Sequence, residues 1–302
     1  MWSNIGAKFR NLQKTHALHS WISLIFSALI VFLVFVSVII NLLADPTEIV
    51  EEVGTKTFRM FTVLSNMFVG VSVAMTIPFA VDGIRDKNYH LPRWIVVLNF
   101  SSVICISLTF FIALTVLSFR AGFGEMMLDG SNLFLHTIVP LLSIILFVFV
   151  NNSHTIKFKT TFTAMLPMVA YSVAYLIMAI FIGEEGGGWR DHYRFEDLMP
   201  WYYILVIMLL LTFLIACVLR WAHNCMHKRD KDATRRLYLD SAEYDFATIE
   251  EAIKRIANDN KAYGLGGELI VPQRIIKILE EKYQSGEPLS YLCKIYIEEF
   301  LK

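Results

Sequence analysis

The chain has 302 residues, of which 56% are hydrophobic, with a mean hydropathy of +0.53 and a formal net charge of zero. A soluble globular domain rarely carries that much apolar surface, so composition argues for an integral membrane protein. The balanced charge gives no footprint for a nucleic-acid partner.

Six segments are long and apolar enough to cross a bilayer, approximately Trp21–Leu43, Phe61–Val81, Trp94–Phe119, Leu133–Val150, Phe162–Gly183 and Trp201–Arg220. The first is too long for a signal-peptide core and lacks a small-residue cleavage site, so it is expected to be retained. Trp21, Trp94, Trp189 and Trp201 stand at segment ends, where an amphipathic ring favours the interface.

Lysine and arginine alternate between the connections. Lys8, Arg10 and Lys14 precede the first segment, Arg85, Lys87 and Arg93 follow the second, and Lys157 and Lys159 follow the fourth. The other connections are acidic: Asp45, Glu48, Glu51 and Glu52, then Glu125 and Asp129, then Glu184, Glu185, Asp191, Glu196 and Asp197. This bias predicts cytoplasmic N- and C-termini in a multi-pass cell-membrane protein, or in the endoplasmic reticulum or plasma membrane if the host is eukaryotic. The fold class expected is all-α: a six-helix transmembrane domain over residues 1–226 and a small helical cytosolic appendage over 227–302.

The connection between the fifth and sixth segments carries Gly186-Gly187-Gly188-Trp189-Arg190-Asp191-His192-Tyr193. Trp189, Arg190 and Tyr193 are candidates for a flexible lid or rim; a solvated loop with an interfacial tryptophan is the plainer reading. In the tail, Gly264-Leu265-Gly266-Gly267 lacks the lysine and preceding strand of a phosphate-binding loop. The tail reads as helices for regulation or self-association. His223, Cys225 and His227 have a spacing that can bring two ligands onto one helical face, but no further ligand cluster accompanies them, so no metal is expected. No organic cofactor is implied.

No acidic residue interrupts the six segments, which gives no sign of an ion path. Asn99, Ser101 and Ser102 in the third segment and Tyr171, Ser172 and Tyr175 in the fifth read mainly as helix–helix contacts. Pro78, Pro140 and Pro167 are expected to bend their helices.

Thr62 and His136 differ from these. Thr62 is about five residues in, counted from Phe58, and His136 about four, counted from Leu133, each in a segment read as entering from the outer face. At about 1.5 Å per residue both therefore reach nearly the same depth. An intramembrane histidine is a functional candidate by default. A threonine hydroxyl becomes a nucleophile when an adjacent base takes its proton, and unpaired amides in the first helical turn can face an oxyanion. These are components of acyl transfer. Ser65, Asn66 and Asn132 are the supporting candidates; Asn66 or Asn132 is the expected orienter of the imidazole, since no aspartate is placed for a triad.

Phe61-Thr62-x-x-Ser65-Asn66, Leu135-His136-Thr137-x-x-Pro140 and the tyrosine-rich fifth segment running into Gly188-Trp189-x-x-x-Tyr193 resemble the androgen-induced membrane hydrolases and their bacterial relatives. The likeness extends over roughly Trp21 to Trp221; the tail lies outside it. The resemblance implies hydrolysis of lipid or amphiphilic esters, such as fatty acid esters of hydroxy fatty acids, by a catalytic Thr62–His136 pair. A non-enzymatic transporter, or a sensor signalling through the tail, is the alternative. A transporter predicts paired halves with interrupted helices at midplane, whereas these polar residues gather near one face.

Overall fold

The computed structural model describes residues 2–44, 54–86, 91–191, 193, 199–239, 281, 284 and 285. All regular structure among them is helical. Six helices are long and apolar enough to cross a membrane: α1 (Leu18–Leu43), α2 (Phe61–Arg85), α3 (Arg93–Ala121), α4 (Gly130–Val150), α5 (Phe158–Ile182) and α6 (Trp201–Arg229). They match the six expected segments: the ends at Leu43, Phe61, Val150 and Trp201 coincide, the last helix runs on from Arg220 to Arg229, and the other ends shift by a few residues. The helix of α1 begins at Trp2, and that of α6 runs on without a break to Leu239. Almost all of the expected appendage therefore lies outside the described residues beyond Leu239.

α3 is the central pillar. It buries 72% of its apolar window, against 22% for α5 and for α6. α2 and α6 pack on it, and α1 packs along both halves of α2. Phe100 of α3 stacks on Phe147 of α4 with ring centroids 5.6 Å apart, inside a core that includes Ile30, Val69, Ile95 and Ala216. Gly70 lets α1 and α2 approach closely: a Cβ there would stand 3.3 Å from Val34 Cγ1. Lipid tails are as apolar as leucine, so such close packing, with polar pairs across interfaces, must hold the helices together.

α1 shows how the sequence selects an inner face. Ser20, Ser23, Ser27, Ile30, Val34 and Ser37 recur at alternating spacings of three and four, and all are buried. The opposite face presents Ile25, Leu29, Phe32 and Phe35 outward. Ser27 pairs with Thr76 of α2 at 2.9 Å, Ser23 donates to Asn151 at 3.2 Å, and Ser72 of α2 donates to Asn99 of α3. Hydroxyls inside and aromatic or aliphatic side chains outside invert the soluble pattern and are compatible with a multi-pass membrane protein.

The prolines decide where the helices deviate. Proline removes a backbone donor and crowds the carbonyl four residues earlier. For Pro78 that residue is Ala74, and the first stretch of α2 (Phe61–Ala74) ends there, with a second stretch starting at Ile77. Pro167 follows a break at Met165, after which α5 resumes at Leu166. For Pro140 the crowded carbonyl is that of His136, and the backbone there widens into the π-helical turn Leu133–Ile138. π-Helical turns are rare and mark functional positions disproportionately.

Candidate active site at the N-terminal ends of α2 and α4

Met60 is extended (φ −83°, ψ 129°), so α2 starts abruptly at Phe61 and Thr62 falls in its first turn. Thr62 and His136 are both nearly enclosed, with 7% and 5% of their surfaces exposed. The Thr62 hydroxyl faces His136 Nε2 at 3.4 Å, a separation that is long for a formed hydrogen bond but usual for a nucleophile and base without substrate. The expectation of matched depth is met by direct contact.

The structure supplies a different orienter from the asparagines. A second π-helical turn, Gly124–Leu128, lies against the one carrying His136. Across this seam His136 Nδ1–H donates to the Met126 carbonyl at 2.7 Å, and the Thr137 hydroxyl donates to the Met127 carbonyl, also at 2.7 Å. A carbonyl accepts only, so Nδ1 carries the proton and Nε2 turns its lone pair toward Thr62. Asn132 points elsewhere: its amide donates to the Glu125 carbonyl at 3.0 Å. Asn66 does not touch the imidazole ring either. Its Nδ2 donates to the carbonyls of Thr62 (2.7 Å) and Leu135 (3.0 Å), tying the two site-bearing backbones together. Its Oδ1 is buried without a hydrogen-bond partner among the described residues. Ser65 donates to the Thr62 carbonyl at 3.0 Å and pairs with Thr109 of α3 at 2.8 Å, anchoring the first turn of α2 to the pillar. Met126 and Thr109 were not expected; neither a backbone carbonyl nor a lone threonine announces its role in sequence.

On its other side Thr62 lines an overwhelmingly apolar cavity of about 100 Å³. Phe61, Tyr171, Tyr175 and Tyr193 form an aromatic rim, with Phe61–Tyr171 centroids 4.9 Å apart and Tyr175–Tyr193 centroids 5.5 Å apart. Tyr171 donates to the Arg59 carbonyl at 2.8 Å, and Tyr175 donates to Asp191 at 2.5 Å. Tyr171, Ser172 and Tyr175 thus serve the cavity as well as packing; the four-residue spacing of the tyrosines was the available signal.

Tyr193 reaches in from the outer connection. Its hydroxyl accepts the Phe61 N–H at 2.8 Å and interacts with the side chains of Tyr171 and Thr62. Burial holds this phenol well above its ordinary pKa, so it is uncharged. Its backbone carbonyl accepts from Arg120 at 3.3 Å, and its N–H reaches the Tyr175 hydroxyl at 3.5 Å. Trp189 packs edge-on to Tyr175, while Arg190 is exposed and does not line the cavity.

Gly186 and Gly188 serve close packing here, while Gly187 takes a left-handed backbone (φ 83°) in open space. The N–H groups of Gly188 and Trp189 cap the end of α5 through the carbonyls of Gly183 and Met178, each at 2.8 Å. A Cβ on Gly188 would lie 2.2 Å from the Met178 carbonyl oxygen.

His223 and His227 form a structural clamp at the opposite end of the bundle. The His223 nitrogens face the carbonyls of Phe147 (3.1 Å) and His154 (2.9 Å), and His227 Nδ1 faces that of Asn152 at 2.6 Å. Among the described residues no group of three histidines, cysteines or carboxylates is placed to hold a metal. No protein-family model, curated protein or solved structure matches the chain.

Proposed function

We propose that this protein is an intramembrane hydrolase of fatty-acyl esters, with Thr62 as nucleophile and His136 as general base. The observation that carries this reading is the Thr62 hydroxyl set 3.4 Å from a histidine nitrogen whose partner nitrogen is pinned by a carbonyl, with an apolar cavity opening on the threonine. The resemblance to the androgen-induced membrane hydrolases points to the same pair. His136 Nε2 takes the hydroxyl proton as Thr62 Oγ1 bonds to the ester carbonyl carbon. The C–O bond to the alcohol then breaks, and the same nitrogen returns its proton to the departing oxygen. Water, deprotonated in turn by His136, attacks the acyl-threonine and releases the acid. Asn66 Oδ1, an open buried acceptor joined to both backbones, is suited to hold that water.

The carbonyl oxygen needs donors as it becomes an oxyanion. The first-turn amides of α2 have no partners within the helix, and the Phe61 amide is occupied by the Tyr193 hydroxyl. In this reading the substrate carbonyl displaces that hydroxyl. The lysine and arginine bias sets the site at the outer face, with both termini in the cytoplasm.

A fluorophosphonate probe tests the reading directly. Purified protein should form a covalent adduct on Thr62 that Thr62→Ala abolishes and His136→Ala strongly slows. An adduct that persists in well-folded Thr62→Ala would assign the nucleophile elsewhere.

A further inference from the structure

Ring contacts tie α5 to α6 near both ends. Near the inner end Phe162 stacks on Phe213 with centroids 5.6 Å apart; near the outer end Phe181 meets Trp201 edge-on at 5.5 Å. Between those contacts α5 uses 19 residues (181 − 162) and α6 uses 12 (213 − 201). At about 1.5 Å per residue these are paths of about 28 Å and about 18 Å, and a bow of α5 away from α6 would take up the difference. The break at Met165 before Pro167 and the π-helical stretch Leu176–Ile182 are deformations that would allow it. Packing between the two helices is correspondingly concentrated in Phe158–Ala164.

The cavity lies between the two contacts. Leu176 and Ile180 of α5 face Leu205 and Met208 of α6 across it, and α3 closes the back. Its polar lining comes from Thr62, Thr109, Ser172 and the three tyrosines. Its inner end stops on a packed apolar cluster that includes Cys105, Leu108, Met168 and Met208. From Trp201 to Met208, both of which line the cavity, the helix rises by about 10 Å. Below its hydroxyl groups the lining is apolar, which suits a hydrocarbon chain better than water.

We infer that this cavity is an acyl-chain chamber entered from the bilayer between α5 and α6, and that Leu108, Met168 and Met208 at its floor set the chain length of the ester. The inference rests on the hydrolase reading for the placement of the ester at Thr62. The substrate class is a single-chain amphiphile that slides in sideways, tail toward the floor and ester at the rim. Methionine suits the floor because its unbranched side chain fills an irregular end and adapts to a chain terminus.

The test uses full-length protein in detergent and in nanodiscs. Wild type, Met208→Ala, Met168→Ala and Met208→Trp are compared on p-nitrophenyl esters running from short to long acyl chains. In parallel, radiolabelled fatty acids of the same lengths are bound to the Thr62→Ala forms of each. The alanine variants should shift the preference toward longer chains and the tryptophan variant toward shorter ones. The ratio of kcat/KM for long over short esters should move by at least about tenfold, the discrimination an apolar pocket gives for a methylene or more. Opposite shifts from alanine and tryptophan at one position exclude general damage as the cause. Ester hydrolysis with an unchanged length profile and unchanged fatty-acid binding in all variants would overturn the chamber and leave the hydrolase reading standing. Shifted fatty-acid binding without hydrolysis of any ester would retain the chamber and overturn that reading. Neither binding nor hydrolysis by the wild type would overturn the chamber itself.

Discussion

Thr62 and His136 meet because three backbone carbonyls are spoken for. Met126 takes the Nδ1 proton of His136, and the carbonyls of Thr62 and Leu135 share the two Asn66 amide hydrogens. If the pair acts as a unit, Thr62→Ala and His136→Ala should each lower ester turnover by at least about 1,000-fold, worth about 4 kcal/mol of transition-state stabilisation. The double variant should lose little more than either single one. Thr62→Ser keeps a hydroxyl and should retain partial turnover. Ser143→Ala, which removes only a hydroxyl bonded to the Val139 carbonyl of its own helix, is the matched control. Wild-type turnover by a monodisperse Thr62→Ala protein would reduce Thr62 to a packing residue. Tyr193→Phe separates two roles of the phenol. A placeholder that substrate must displace predicts an unchanged kcat and a lowered KM; a donor to the transition state predicts a fall in kcat of at least about tenfold.

Among the elements, the π-helical turns hold the site's shape. Pro140 prevents a regular hydrogen bond to the His136 carbonyl, and the turn widens around the histidine. Pro140→Ala restores that donor, which should let the turn tighten into α-helix and swing the imidazole away from Thr62. Turnover should then fall by at least about tenfold while thermal stability is kept or raised, since a helix-interior proline costs about 3 kcal/mol. Reduced turnover together with a lower melting temperature would contradict this account. The outer connection is a second case. Gly188→Ala must displace backbone at the Met178 carbonyl and should destabilise the protein by about 1–3 kcal/mol. Gly124→Ala meets open space and is the tolerated comparison. Melting of both variants in the same detergent checks the difference.

The whole molecule is organised around α3, with the site at one end and the histidine clamp at the other. The proposal that the site faces outward, made from charge bias, predicts accessibility. With the four native cysteines replaced by alanine, Asp129→Cys and Glu185→Cys should react with an impermeant maleimide in intact cells, whereas Lys157→Cys should react only after permeabilisation. The inverted pattern would turn the molecule over and move the site to the cytoplasmic side. Histidines at the clamp add a pH term to stability. Burial, first, and the neighbouring His227 charge hold His154 below its ordinary pKa. The unfolded chain therefore binds more protons there, so the contribution is present above the unfolded pKa and is lost as pH falls through the folded one.

The number and approximate limits of the spans were legible in the sequence, because about twenty apolar residues are needed wherever a helix crosses hydrocarbon. So was the equal depth of Thr62 and His136, since helical rise converts sequence position into height. The prolines announced where helices would deviate, though not that the deviation at His136 would be a widened turn. What only the tertiary structure decided depends on rotation about helix axes and on backbone atoms. Asn66 and Asn132 are equally plausible orienters by spacing, yet the carbonyl of Met126 holds the ring, and every residue in the chain owns a carbonyl. The glycines before Trp189 read as flexibility, yet Gly188 is required by a close approach to the Met178 carbonyl oxygen. The opening between α5 and α6 lies between two contact points with unequal path lengths. Hydropathy along one segment carries no information about the distance to another, so that opening belongs to packing alone.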